Sequence, residues 1–253
     1  MTLYVKSGGR GPELVLLHGW GLHGGVWAPV REALEERFHV NAFDLPGHGF
    51  SAFTPLRDFD ATVDEVAAQV PEGAIVCGWS LGGMIAQALA RRHPVRARAL
   101  ALVSTTPSFV EQPGWPHAMK VGTLAGFALG LRTDLEATLK TFVMLNAAGG
   151  AQMRAAMRAL AGELLARGAP DPSALEVGLE MLRTTDLRPD ASAIAQPAIV
   201  IHGCRDALVP IAAGRWLASH LPRARMVEIE EAAHLPFLSH PREFVAALDT
   251  LHG

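Results

Sequence analysis

Ala74-Ile75-Val76-Cys77-Gly78-Trp79-Ser80-Leu81-Gly82-Gly83-Met84-Ile85-Ala86 runs from strand to turn to helix without a charged residue. Four apolar residues spell a short strand, and a Gly-x-Ser-x-Gly turn follows. The small-residue run from Met84 to Arg92 then has helix character. In that setting a serine hydroxyl is held out at the tip of a strand, above a helix N-terminus. The flanking glycines permit a turn too tight for side chains. An incidental serine in a glycine-rich turn has the same spelling. A base, an acid and an oxyanion-binding loop must therefore come from elsewhere in the chain.

They are present, in the order that chains built on such an elbow use: Ser, then Asp or Glu, then His. Ala198-Ile199-Val200-Ile201-His202-Gly203 reads as a buried strand, with Cys204-Arg205-Asp206 in the loop after it, closed by Pro210. Met226-Val227-Glu228-Ile229 reads as another strand, followed by Glu231-Ala232-Ala233-His234. Ser80, Asp206 and His234 thus each fall just past the C-terminal end of a predicted strand. In an open parallel sheet those ends share one edge, where ligands bind. A serine hydroxyl needs a base near neutral pH, and an imidazole suits that task. Asp206 would fix the ring's tautomer and balance the imidazolium. Leu14-Val15-Leu16-Leu17 is a further strand, ending in His18-Gly19-Trp20-Gly21. The Trp20 and Leu81 amides are the expected oxyanion donors, and His18 is expected to brace the loop by hydrogen bonds.

His18-Gly19-Trp20-Gly21, Asp44-Leu45-Pro46-Gly47-His48-Gly49-Phe50-Ser51, Gly78-Trp79-Ser80-Leu81-Gly82-Gly83, Gly203-Cys204-Arg205-Asp206 and Ala233-His234 together resemble an α/β-hydrolase. The resemblance extends over essentially the whole chain. Within that superfamily the chain most resembles the biotin-synthesis carboxylesterases that demethylate pimeloyl-acyl-carrier-protein methyl ester. Gly178-Leu179-Glu180-Met181-Leu182-Arg183-Thr184-Thr185-Asp186-Leu187-Arg188 and Ala232 to Pro241 are the closer signs. The resemblance implies that Phe142-Val143-Met144-Leu145-Asn146 line the acyl channel, beside Trp20, Ser80, Leu81 and His234. It also implies docking of an acidic carrier protein on Arg154 and Arg158. Two further arginines expected there are absent, with Ala137 and Thr141 in their places and Lys140 nearby.

The alternation of strand and helix signals holds to about Ser104, stops between Thr105 and Asp186, and resumes after Ala198. It predicts a mostly parallel sheet with helices on both faces, formed by residues 1–104 and 187–253, and a helical lid inserted over 105–186. The strand signals include Phe38–Phe43 and Ala97–Val103, with a helix over Thr62–Val70. The start, Met1 to Lys6, reads as a strand, and Ser7-Gly8-Gly9-Arg10-Gly11 as a turn. In the lid, Thr133-Asp134-Leu135-Glu136 reads as a capping box opening a helix. Five of the eight methionines (Met119, Met144, Met153, Met157, Met181) fall there, and methionine adapts to irregular apolar space. Between Lys120 and Gly168 there are six basic residues and three acidic ones, in a chain of net charge −3.

With 253 residues, 49% hydrophobic and 19% charged, the composition fits a soluble α/β protein with an insert. Its charge gives no reason to expect nucleic acid or an anionic membrane as partner. Two cysteines make no disulfide framework, neither has metal-ligand company, and no cofactor motif occurs. Gly73 to Ala90 is uncharged and close to the length of a membrane span, but its glycines and Ser80 fit strand, turn and helix better. With no secretory signal read at the start, a cytoplasmic monomer is expected. The expected chemistry is serine-ester hydrolysis on a carrier-linked ester. The alternatives are a broader short- or medium-chain esterase or thioesterase, and a binder without turnover, against which the complete triad argues.

Overall fold

Leu14 to Leu17 and Ala74 to Trp79 are buried along their whole lengths, as strands covered on both faces must be. Alternate residues divide between two layers. Val15, Leu17 and Val76 join one hydrophobic cluster, while Leu14, Leu16, Ile75, Cys77 and Trp79 join the other. This is the period-2 consequence of a pleated strand. Each fully buried aliphatic side chain contributes roughly 1.5–3 kcal/mol. The computed structural model describes residues 2–52, 54–134, 137–138, 141, 167 and 170–252.

Seven strands form one sheet: β1 (Val5–Gly9), β2 (Glu13–Leu17), β3 (His39–Phe43), β4 (Ala74–Trp79), β5 (Ala97–Val103), β6 (Ala198–Gly203) and β7 (Ala224–Ile229). Their order is β1-β3-β2-β4-β5-β6-β7. Every neighbouring pair is parallel except β1 with β3. Helices α1 (Ala28–Glu35), α2 (Phe59–Ala67) and α3 (Leu81–Arg92) lie before β5 in the chain. Between β5 and β6 come α4 (Val121–Thr133) and α5 (Pro172–Thr184). After β6 come α6 (Ile211–His220), α7 (Pro236–Ser239) and α8 (Pro241–Asp249). Buried residues of α2, α3, α5 and α6 pack on one face of the sheet, and those of α1, α7 and α8 on the other.

Two local expectations are corrected. β1 continues through Ser7-Gly8-Gly9, paired with β3 from Val5↔Phe43 to Gly9↔His39. Ladder hydrogen bonds, with Ser7 Oγ donating to Asn41 Oδ1 at 2.7 Å, override the poor strand propensity of glycine. The turn comes at Gly9 and Gly11, with φ of 81° and 122°. Thr133 does not open a helix. It is the last residue of α4, and its hydroxyl donates back to Leu129 O. Asp134 takes the capping role, its Oδ1 accepting from the Ala137 amide at 3.0 Å. An N-cap side chain accepts from the amide two or three positions on, and Asp134 stands three before Ala137, while the Thr133 hydroxyl is already bonded within α4.

The uncharged run through Ala90 is β4, a turn and α3. Among the described residues no helix is long and apolar enough to cross a membrane.

Candidate active site

The direction of strand order reverses between β2 and β4, and the crevice at such a reversal is where ligands bind in open α/β sheets. Leu17 and Gly78 are register partners there, so the loop after β2 and the turn after β4 lie side by side. Ser80 occupies the turn with φ 55° and ψ −118°, a strained backbone for a residue with a side chain, costing about 1–3 kcal/mol. The strain is held by close packing. A Cβ on Gly82 would press into the Leu17 and His18 carbonyl oxygens. Thr105 Oγ1 donates to Ser80 O at 2.7 Å and the Ser80 amide to Val103 O at 3.0 Å.

The Gly19-Trp20 backbone and Leu81 both border Ser80. A Cβ on Gly19 would come 3.1 Å from Ser80 Cβ, so the Gly19-Trp20 peptide passes directly beside the serine. Leu81 is the first residue of α3, and the first amides of a helix have no intrahelical acceptor. His18 braces this loop: its Nδ1 donates to Gly19 O at 2.8 Å, and its Nε2 accepts from the Leu45 amide at 2.9 Å. Burial first, then His48 beside it, hold His18 well below the ordinary imidazole range, so both bonds belong to a neutral ring.

Asp206 and His234 meet, with Oδ2 to Nδ1 at 2.7 Å. The other carboxylate oxygen accepts from the Leu208 and Val209 amides, both at 2.9 Å. Burial alone pushes the Asp206 carboxyl up, but His234 and His202 beside it outweigh that and hold it well below the usual range. The Trp79 indole ties His234 to the serine turn, donating from Nε1 to His234 O at 2.8 Å. The two rings lie 5.4 Å apart. Ser80, Asp206 and His234 are all nearly buried. An imidazole held by a carboxylate and tied through Trp79 to a strained serine turn, with helix and loop amides beside that turn, is equipped for acyl transfer.

Phe142, Val143, Met144, Leu145, Asn146, Arg154 and Arg158 lie outside the described residues. The structure adds three residues that the sequence did not single out. His202 faces Asp206, and its place inside an apolar strand made it read as core. Asp44 is wholly buried, accepting from the Gly24 and Phe50 amides at 2.8 and 2.9 Å. Its partner Arg167 donates to it at 2.8 Å. The signal for Asp44 was its place in the Asp44-Leu45-Pro46-Gly47 run just after β3; nothing in sequence pairs it with Arg167.

A parallel sheet covered on both faces, with a serine elbow at its switch point and Asp and His at neighbouring strand ends, defines an α/β-hydrolase architecture. The chain belongs to the alpha/beta hydrolase family, whose model matches residues 14–248. The pimeloyl-[acyl-carrier protein] methyl ester esterase of Chromobacterium violaceum is 48% identical to it over 248 residues, covering 98% of this chain and 97% of that one. The protein of the same name from Nitrosomonas europaea is 40% identical, covering 99% of each chain. Among solved structures, a bromoperoxidase from Bacillus anthracis superposes with a TM-score of 0.89 at 25% identity, covering 99% of this chain and 94% of that one. The enol-lactonase of Burkholderia xenovorans gives 0.84 at 26%, covering 99% and 96%. These two carry different activities on one fold, so the fold alone does not choose the reaction.

Proposed function

We propose that the protein is a serine carboxylesterase that removes the methyl group from pimeloyl-acyl-carrier-protein methyl ester. The observation that carries the chemistry is the 2.7 Å bond between His234 and Asp206, tied through Trp79 to the strained Ser80 turn. The substrate rests on the full-length identity to the relatives bearing that name.

Ser80 Oγ attacks the ester carbonyl carbon as its proton passes to His234. Asp206 holds the opposite ring N–H and balances the imidazolium. The Trp20 and Leu81 amides stabilise the tetrahedral oxyanion, each worth roughly 3 kcal/mol. The carbon–oxygen bond to the methoxy group breaks, that oxygen takes the proton from His234, and methanol leaves an acyl-Ser80 ester. Water then gives a proton to His234 and attacks the same carbon. Collapse of the second intermediate returns the proton to Ser80 and releases the free carboxylic acid. Residues 105–186 act as a lid, in which Phe142 to Asn146 line the acyl chain while Arg154 and Arg158 meet the acidic carrier.

The test is Ser80→Ala. A fluorophosphonate probe should label the wild type and not the variant. The variant should lose several orders of magnitude in kcat on the carrier-linked methyl ester. The same gene should restore growth of a biotin auxotroph lacking its demethylating esterase, and the variant should not. Near-normal turnover by Ser80→Ala would overturn the mechanism. Turnover of small esters without rescue of growth would leave the mechanism and overturn the substrate.

A further inference from the structure

Asp206 Oδ2 meets two imidazoles. His234 Nδ1 is 2.7 Å away and His202 Nε2 is 3.4 Å away. His202, in β6, is fully buried, and its Nε2 also lies 2.9 Å from Val209 O. A carbonyl only accepts, so Nε2 carries the hydrogen and points into the cleft between that carbonyl and the carboxylate. The opposite nitrogen, Nδ1, is buried with no hydrogen-bond partner. It abuts α6 at Gly214, where a Cβ would come within 2.6 Å. A proton on Nδ1 would be a buried donor with nothing to receive it. Besides Asp206, the packed elements bring Glu228, the register partner of His202 on β7, and Arg215 on α6. They pair with each other at 2.7 Å, with the Cys204 thiol beside Glu228.

We infer that His202 is a positioning residue for the reaction. Its Nε2–H, shared between Val209 O and Asp206 Oδ2, holds the 206–209 turn around the carboxylate. It also draws off part of the negative charge that Oδ2 presents to His234. The geometry favours this over simple filling of space, because the polar edge of the ring faces the carboxylate while its other nitrogen lies against a residue without a side chain. The full charge of Oδ2 directed at His234 would favour the imidazolium over the neutral ring that accepts the Ser80 proton. His202 thereby extends the range over which His234 serves as base. This rests on the roles proposed above for Asp206 and His234.

Two variants separate the N–H from the ring. His202→Gln places an amide nitrogen near the position of Nε2, and His202→Phe fills the space without a donor. The readout is the midpoint of the acid limb of kcat/KM for a p-nitrophenyl ester, with urea unfolding alongside. His202→Phe should move the midpoint up by roughly half a unit to one unit, the net worth of one hydrogen bond, with KM little changed. His202→Gln should stay near the wild type. An unmoved midpoint in a folded His202→Phe, or equal shifts in both variants, would overturn the inference. If His202→Phe does not fold, His202→Met supplies the comparison. The low-field proton resonance of His234 Nδ1–H should titrate with the same shift. That measurement needs no turnover, so failure of the proposed catalytic roles and failure of this inference are told apart.

Discussion

His18 stands one residue from the peptide beside Ser80, and its two ring nitrogens are both committed, one to Gly19 O and one to the Leu45 amide. Protonation would turn the acceptor nitrogen into a donor facing a donor. Burial and His48 lower its folded-state affinity for a proton, and burial lowers that of His48 as well. The unfolded chain therefore binds more protons than the folded one as pH drops below about 6.5, the ordinary histidine value. Stability from these groups is fully present above that pH and is lost as pH falls below it. The urea midpoint should accordingly decline between pH 7.5 and pH 5.5. His18→Gln keeps an oxygen for the Leu45 amide but cannot titrate in this range. Its midpoint should change less over the same interval, and an equal change would assign the dependence to other groups.

Helix α5 shows how an element outside the strand-end loops reaches the site. Asp171 caps it, accepting from the Ser173 amide at 2.7 Å, and Pro172 occupies the first turn, where a missing N–H does no harm. Ala174, Leu175, Gly178, Leu179, Met181 and Leu182 form its buried face. Trp20 lies against that face: its Nε1 donates to Leu175 O at 2.9 Å, and a Cβ on Gly178 would come 2.6 Å from Trp20 Cδ1. Gly178→Ala sets two effects against each other. Helix propensity improves by about 1 kcal/mol, while overpacking against the indole costs about 1–3 kcal/mol. Overpacking should win, giving a less stable protein. Trp20 would also shift, lowering kcat by up to about a hundredfold if its amide binds the oxyanion. Urea unfolding and ester kinetics check both. A more stable variant of unchanged activity would show that the contact is slack. The Gly178 to Arg188 stretch was legible only as a resemblance. What it touches was not, because Gly178 lies against Trp20, which the chain places before β3.

At the scale of the molecule, the buried pair of Asp44 and Arg167 joins positions 123 apart, with side chains 0% and 5% exposed. The Arg167 guanidinium also lies over the Tyr4 and Phe50 rings, at 5.4 and 5.3 Å. Removing one partner of a buried pair is expensive, about 3–5 kcal/mol, because the other charge stays behind. Arg167→Met leaves Asp44 two backbone donors, whereas Asp44→Ala strands a buried cation and two amides. Asp44→Ala should therefore destabilise more in urea, and the reverse order would mean that Arg167 reaches water readily. Sequence periodicity conveyed the sheet, its two covered faces and the three strand ends, since apolar runs and chain order carry those. It did not convey β1 beyond Lys6, the cap at Asp134, or His202 and Arg167. Each of these depends on a partner distant in the chain or on a competition between neighbouring side chains. One consequence concerns synthesis. Trp79 and His234 are 155 residues apart yet directly bonded. A ribosome adding about 5–20 residues per second makes the serine turn roughly eight to thirty seconds before the histidine exists. On the roles proposed for Ser80 and His234, the nascent chain carries a nucleophile with no base throughout that interval, and hydrolysis begins only when β6 and β7 dock beside β5.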